Sequence, residues 1–267
     1  MVDFIFILRI VLVPILIVAA STASDRWGPG ISGWLVAFPL TSGPVVFLLA
    51  LSQSSAFASS AAVGVVLGLV AVSVFALTYC LAALRRANHN WYVAMPLGWI
   101  VFFVLGYALQ RLSLSILLSF LLVVVILIVV IRILSVTLKR FSSSEQNQFS
   151  SPSIRTRRKD ILIRIAAATS LVFGITQTAP ALGSHLSGVL ATFPTYVSVL
   201  AASVHQSRGA VPAARLVRGA LYGLFTPSVF FLIIGLTLLP LGTGYSFGLA
   251  ILVSLIVHGL SLRLVRE

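Results

Sequence analysis

Eight residues, Ser32-Gly33-Trp34-Leu35-Val36-Ala37-Phe38-Pro39, return 155 residues later as Ser187-Gly188-Val189-Leu190-Ala191-Thr192-Phe193-Pro194. The shared pattern is S-G-x-L-x-x-F-P, and both copies lie inside long apolar runs. A proline in a helix removes one main-chain hydrogen bond and collides with the preceding turn. Backbone groups freed in this way at membrane depth must face protein or a water-filled cavity. Interrupted helices at matching places in two halves of a chain point to a midplane binding site. At such a site Phe38 and Phe193 would form apolar walls beside Pro39 and Pro194, while Ser32, Ser187 and freed backbone groups would supply polar contacts. Proline kinks also serve helix packing alone, so the motif has a purely structural reading as well. Gly43-Pro44 follows the first copy, and Tyr196-Val197-Ser198-Val199 follows the second.

Arg9 and Arg164 form a second matched pair, each followed by isoleucine and about one turn into an apolar run. An arginine there can snorkel to the interface. It can also mark a substrate path, drawing anions toward one mouth of a carrier. Asp3 and Asp160 are nearby partners able to neutralise either cation. The acidic residues are Asp3, Asp25, Glu145, Asp160 and Glu267, all at run ends, in loops or at the terminus. A midplane carboxylate is therefore missing, which argues against a cationic substrate and against a carboxylate proton relay. An anionic or neutral substrate fits better, because half-helix N-termini attract negative charge.

Other chemistries lack their residues. His185, His205 and His258 stand where the first half has Gly30, Ala50 and Phe103, and His89 lies in a loop. None has paired metal-ligand spacing. A nucleophile elbow and a carboxylate pair are both missing, so the expectation is a protein with no catalytic residues, no metal and no cofactor. Cys80, the one cysteine, allows no intrachain disulfide.

The elements that position these residues follow from composition. The 267 residues are 59% hydrophobic and 9% charged, with a mean hydropathy of +1.12. Several apolar runs reach the ~20 residues that cross a bilayer. The reading is an all-α polytopic membrane protein with nine spans, at 4–22, 30–51, 59–84, 91–109, 113–137, 160–178, 184–204, 212–238 and 245–264. The offset of 155 holds without a gap from Arg9 to Leu77, matching glycine, proline, phenylalanine, arginine and serine as well as common apolar types. The first four spans therefore duplicate as the last four. Residues 1–110 form one repeat and 160–267 the other, with a connecting helix and basic linker at 111–159. A single span between two four-span repeats inverts the second repeat, as in many secondary transporters. Gly64-x-x-x-Gly68 and Gly219-x-x-x-Gly223 allow close helix approach, within the chain or in a homodimer.

A net charge of +13 would suggest nucleic acid in a soluble protein, but here the basic residues sit in short loops. With the N-terminus outside, the inner face receives Arg26, Arg85, Arg86, Lys139, Arg140, Arg155, Arg157, Arg158, Lys159, Arg208, Arg215, Arg218, Arg263 and Arg266. The outer face receives Arg111. Positive residues favour the cytoplasm, so the C-terminus is expected inside. Residues 139–159 form a polar linker in which 141–153 reads as disordered, while Arg155, Arg157, Arg158 and Lys159 read as a topology anchor or a contact with anionic lipid head groups. The bilayer and an unidentified small molecule are the expected partners, and nucleic acid is not.

The second repeat carries Gly188, Leu190, Phe193, Pro194 and Thr195, then Gly209, Arg215 and Gly219. In this it resembles the small GlpM-like inner-membrane proteins, which have a G-L-x-x-x-F-P-T element. Leu190 stands two residues beyond the glycine rather than next to it. Leu40 in the first repeat replaces the threonine. The resemblance implies a four-helix membrane unit and a bacterial inner-membrane location. Two functions follow as expectations: alternating-access transport or flipping of an anionic or amphipathic molecule, or a non-transporting scaffold subunit of an envelope-synthesis complex.

Overall fold

A computed structural model describes residues 34, 37–39, 41–85, 91–142 and 158–266. Side chains are not described for 142, 158–161, 163–165, 167, 168, 171, 172, 207 and 262–266. Every element among the described residues is helical: α1 Ser42–Ser52, α2 Ser55–Arg85, α3 Trp91–Leu109, α4 Ile116–Ser142, α5 Arg158–Leu182, α6 Ser184–Ala191, α7 Thr195–Arg208, α8 Ala210–Gly223 and α9 Phe225–Arg266. Among the described residues, five helical stretches are long and apolar enough to cross a membrane: Ser55–Arg85, Trp91–Leu109, Ile116–Phe141, Ser184–Gln206 and Ala210–Ser261. This fits an α-helical integral membrane protein.

The central helix is α2. Its start is set by Ser54, whose hydroxyl accepts the Phe57 N–H at 3.1 Å. Its flanks are covered by α6, α3, α9, α4, α1 and α8. Small residues bring the neighbours close. A methyl group on Gly64 would strike the His185 carbonyl of α6, and one on Gly188 of α6 would strike the Ala61 carbonyl of α2. These glycines therefore serve packing inside the chain.

Lipid-facing surfaces lie on the outer helices. α4 buries Val123, Leu127, Val130, Leu134 and Leu138 along one stripe and exposes Leu121, Val125, Ile128 and Val136 on the opposite side. A water-facing helix would carry polar residues there. Through its buried stripe α4 packs on α2, α8 and α9, so it is an integral wall of the bundle as well as a connector. It also runs to Ser142, so the start of the polar stretch read as disordered is helical; Lys139 and Arg140 sit in its last turn, where cations suit the helix dipole. Arg158 and Lys159 likewise belong to α5, and 143–157 lie outside the described residues.

The C-terminal region is divided at two places. Pro227 would collide with the carbonyl of Gly223, and the chain turns at Leu224 between α8 and α9. Within α9 the helix breaks at Gly242, whose φ of 74° suits glycine, just after Pro240.

Candidate functional site

Both copies of the motif contain a non-helical stretch. In the second half α6 ends at Ala191, Thr192 turns, and Pro194 begins α7. In the first half Ala37, Phe38 and Pro39 are non-helical, and α1 starts after Thr41. Pro39 and Pro194 fix the chain where no N–H is available for a continuing ladder.

The two interruptions border one cavity of about 60 Å³. Its walls are matched pairs at the offset of 155: Ala37 and Thr192, Phe38 and Phe193, Pro39 and Pro194, Thr41 and Tyr196, Ser42 and Val197, Leu69 and Leu224, Val72 and Pro227. Thr195 completes the lining, and its equivalent, Leu40, is outside the described residues. The volume holds a few water molecules.

Surrounding contacts interchange in the same way. A Cβ on Gly68 would meet Val189 and Thr192, and one on Gly223 would meet Trp34 and Ala37. Phe193 stacks on Phe103 with centroids 5.5 Å apart, and Phe38 meets His258 edge-on at 5.5 Å. Each set becomes the other when shifted by 155 residues. Ser59 Oγ donates to the Gly235 carbonyl at 3.3 Å, while Leu69 and Val72 share the cavity with Leu224 and Pro227. Where they cross, α2 and the chain from α8 into α9 therefore run in opposite directions.

Two helix N-termini adjoin the cavity. Thr41 precedes α1 and Pro194 precedes α7, and neither provides a side-chain cap. Their first turns carry no acidic residue. Some of their first amides are already engaged, since the Gly43 N–H donates to the Pro39 carbonyl at 3.0 Å and the Thr195 N–H to the Phe193 carbonyl at 2.7 Å, and Pro44 has no N–H. The remaining N-terminal amides carry partial positive charge and accommodate anions. The cavity lining itself contains neither a carboxylate nor a cation.

The structure thus places Phe38, Pro39, Phe193 and Pro194 together. Ser187 is buried elsewhere, and its hydroxyl donates to the Gly183 carbonyl at 2.7 Å. It sits in α6 ahead of the break, and the cavity lining does not include it. Arg9 and Ser32 lie outside the described residues, and Arg164 is described only as a backbone position in α5. Thr41, Ser42, Thr192 and Thr195 supply the hydroxyls that the sequence reading sought from Ser32 and Ser187. The offset that paired the prolines could have found the Thr41, Ser42 and Pro227 positions. Arg132 was also missed; it is exposed on α4, toward the end that carries Lys139 and Arg140.

The histidines serve different surroundings. His205 Nδ1 lies 3.0 Å from the buried Tyr79 hydroxyl, and His185 Nδ1 lies 3.3 Å from the Gln110 carbonyl. His258 lies behind the first interruption. Among the described residues no group of three potential ligands could hold a metal ion. Comparison with protein-family models, curated proteins and solved structures found no match.

Proposed function

We propose that the chain is a carrier or flippase for an anionic or amphipathic small molecule, working by alternating access through the cavity between the two helix breaks. Two inverted four-helix repeats with a ninth helix between them would form the moving halves. The make-up of the cavity carries this reading: it is walled by equivalent residues from both halves, with two uncapped helix N-termini at its edge. Each such terminus favours an anion by about 0.3–2 kcal/mol, depending on burial. The interchange of contacts and the opposed directions of α2 and the α8–α9 chain support inversion rather than parallel repetition. At about 60 Å³ the site is constricted, so the breaks must swing apart to admit a substrate.

Arg9 and Arg164 would draw anions in from opposite mouths. The orientation has the N-terminus outside and the C-terminus in the cytoplasm of a bacterial inner membrane, as the charge distribution and the GlpM-like resemblance imply. Anionic lipid would meet the basic inner face.

Single cysteines at Thr41 and Tyr196, in a Cys80→Ala background, test the mechanism. A membrane-impermeant thiol reagent should label both positions from either side of the membrane. Pro39→Ala or Pro194→Ala should restore helix across the break and cut labelling several-fold at unchanged protein abundance. Absence of labelling from both sides would move the scaffold reading ahead.

A further inference from the structure

One face of α9 is buried yet polar. Ser246, Ala250, Ser254 and His258 follow at intervals of four residues, each at most 7% exposed. The hydroxyls of Ser246 and Ser254 and the Nε2 of His258 have no hydrogen-bond partner among the described residues. At 1.5 Å per residue the row is about 18 Å long. It runs from the break at Gly242 to the wall of the first helix interruption. The equivalent positions in the other half are Trp91, Met95, Trp99 and Phe103, so only one half carries the row. Buried polar atoms are normally paired, and water completes the set where protein does not.

His258 ends the row in contact with the cavity wall. Its ring stacks on Trp34 with centroids 3.8 Å apart and an interplanar angle of 10°. It meets Phe38, a cavity residue, at 5.5 Å. Its Nδ1 lies 2.7 Å from Thr226 Oγ1, and Thr226 adjoins Pro227 of the cavity. The Ser261 hydroxyl, which accepts the Trp34 indole N–H, donates to the His258 carbonyl. None of these neighbours is charged. On the packed elements Arg85, Arg132, Lys139, Arg140 and Arg215 are exposed and Arg218 is half-buried, and no contact with the ring is recorded for any of them. Arg263 and Arg266, further along α9, have side chains outside those described.

We propose that His258 is the proton-binding site that couples this carrier to a proton gradient, with the Ser246–Ser254 row as its hydrated access path. This rests on the carrier reading. A proton from water adds to the ring lone pair and returns to water on release, so no other reactant is needed. In the neutral ring one nitrogen accepts; in the ion both donate. Thr226 must then act as acceptor, and Nε2–H, which has no partner among the described residues, needs water of that path as its acceptor. The ion gains a cation–π contact with Trp34. Protonation therefore changes what holds Trp34 and Phe38, and with them the first interruption.

Two measurements on the full-length protein in lipid nanodiscs test this. Nitrogen-15 NMR of histidine-labelled protein, assigned with His258→Phe, should show the His258 ring taking up a proton as the pH is lowered through the range in which labelling changes. Labelling of the Thr41→Cys site should change at least threefold between pH 5.5 and 8, relative to the same site in His258→Phe at each pH, which cancels the thiol's own titration. His258→Phe places in α9 the residue that α3 has at Phe103. If it does not fold, His258→Gln, a polar side chain that does not titrate, serves as the reference for labelling. A His258 ring that does not titrate in this range, or a flat labelling ratio, overturns the proposal. Failure to label Thr41→Cys from either face at any pH instead defeats the carrier reading, and the NMR titration still reports on His258 itself.

Discussion

The two helix interruptions share a backbone device and differ in what stands behind it. Behind Phe193 and Pro194 is an aromatic wall: Trp99, Phe102 and Phe103 all place rings within 6 Å of Phe193. Behind Phe38 and Pro39 is a polar wall, where His258 stacks on Trp34 and reaches Thr226, and Ser261 links the Trp34 indole to the His258 carbonyl. The third helix of the first half, α2, is continuous through Val72, whereas its counterpart is divided at Leu224, three residues before Pro227, which stands at the position equivalent to that valine. Positions 155 residues apart line the cavity in pairs, and the walls behind its two sides are chemically unequal. In a carrier one side then relies on ring packing, while the other relies on a few directional bonds.

The largest expected effect removes what the two sides share. Gly68→Val and Gly223→Val each force a side chain into the opposite interruption, where a Cβ would lie 3.0 Å from Val189 Cα and 2.6 Å from the Trp34 carbonyl. Overpacking of this kind costs about 1–3 kcal/mol, and more where backbone must move. Both variants should lose most folded, monodisperse protein on size exclusion after extraction. If one is tolerated, the interruption it faces is free to shift, and the equivalence of the two contacts ends there.

A smaller effect separates the sides. Phe193→Ala removes three ring contacts and leaves a hole, which costs about 3–5 kcal/mol in a packed core. Phe38→Ala removes one recorded ring contact, with His258, and should cost at least about 1 kcal/mol less. Thermal unfolding in the same detergent reads the difference. Equal losses would mean that the aromatic wall contributes no more than the polar one.

Much of the helix order was legible because span length and proline position act locally. The span read at 91–109 coincides with α3, and that at 59–84 lies within α2, lengthened by the Ser54 cap. The interruptions followed from Pro39 and Pro194 in matched settings. The joining of their cavity to His258 was not legible, because Trp34, Thr226, His258 and Ser261 are far apart in sequence and meet only through packing. Ser187 belongs to the repeated motif, which made it look like a site residue; the break sets it in α6, where its hydroxyl bonds its own helix. Pro227 went unread because its equivalent, Val72, breaks the repeat pattern, and that mismatch is where the halves differ in shape.

The smallest expected effect concerns two indole hydrogen bonds. Trp34 Nε1 donates to Ser261 Oγ at 2.7 Å, and Trp99 Nε1 donates to Ser198 Oγ at 3.0 Å. Each links an aromatic residue beside one interruption to a hydroxyl on another helix. Ser198→Ala leaves the half-buried Trp99 N–H without its partner, at a cost of about 1 kcal/mol. Ser261→Ala leaves the buried Trp34 N–H unpaired and also ends the bond to the His258 carbonyl, so its cost should be about 1–3 kcal/mol. Beyond that modest loss, Ser261→Ala frees Trp34 to shift against His258, whereas Ser198→Ala leaves Phe193 held by its three rings. Tryptophan fluorescence compared between the two variants, each against a matched Trp→Phe reference, should therefore change for Trp34 and stay nearly constant for Trp99. Matching spectral shifts would show that the bond to the hydroxyl, and not the wall behind it, positions each interruption.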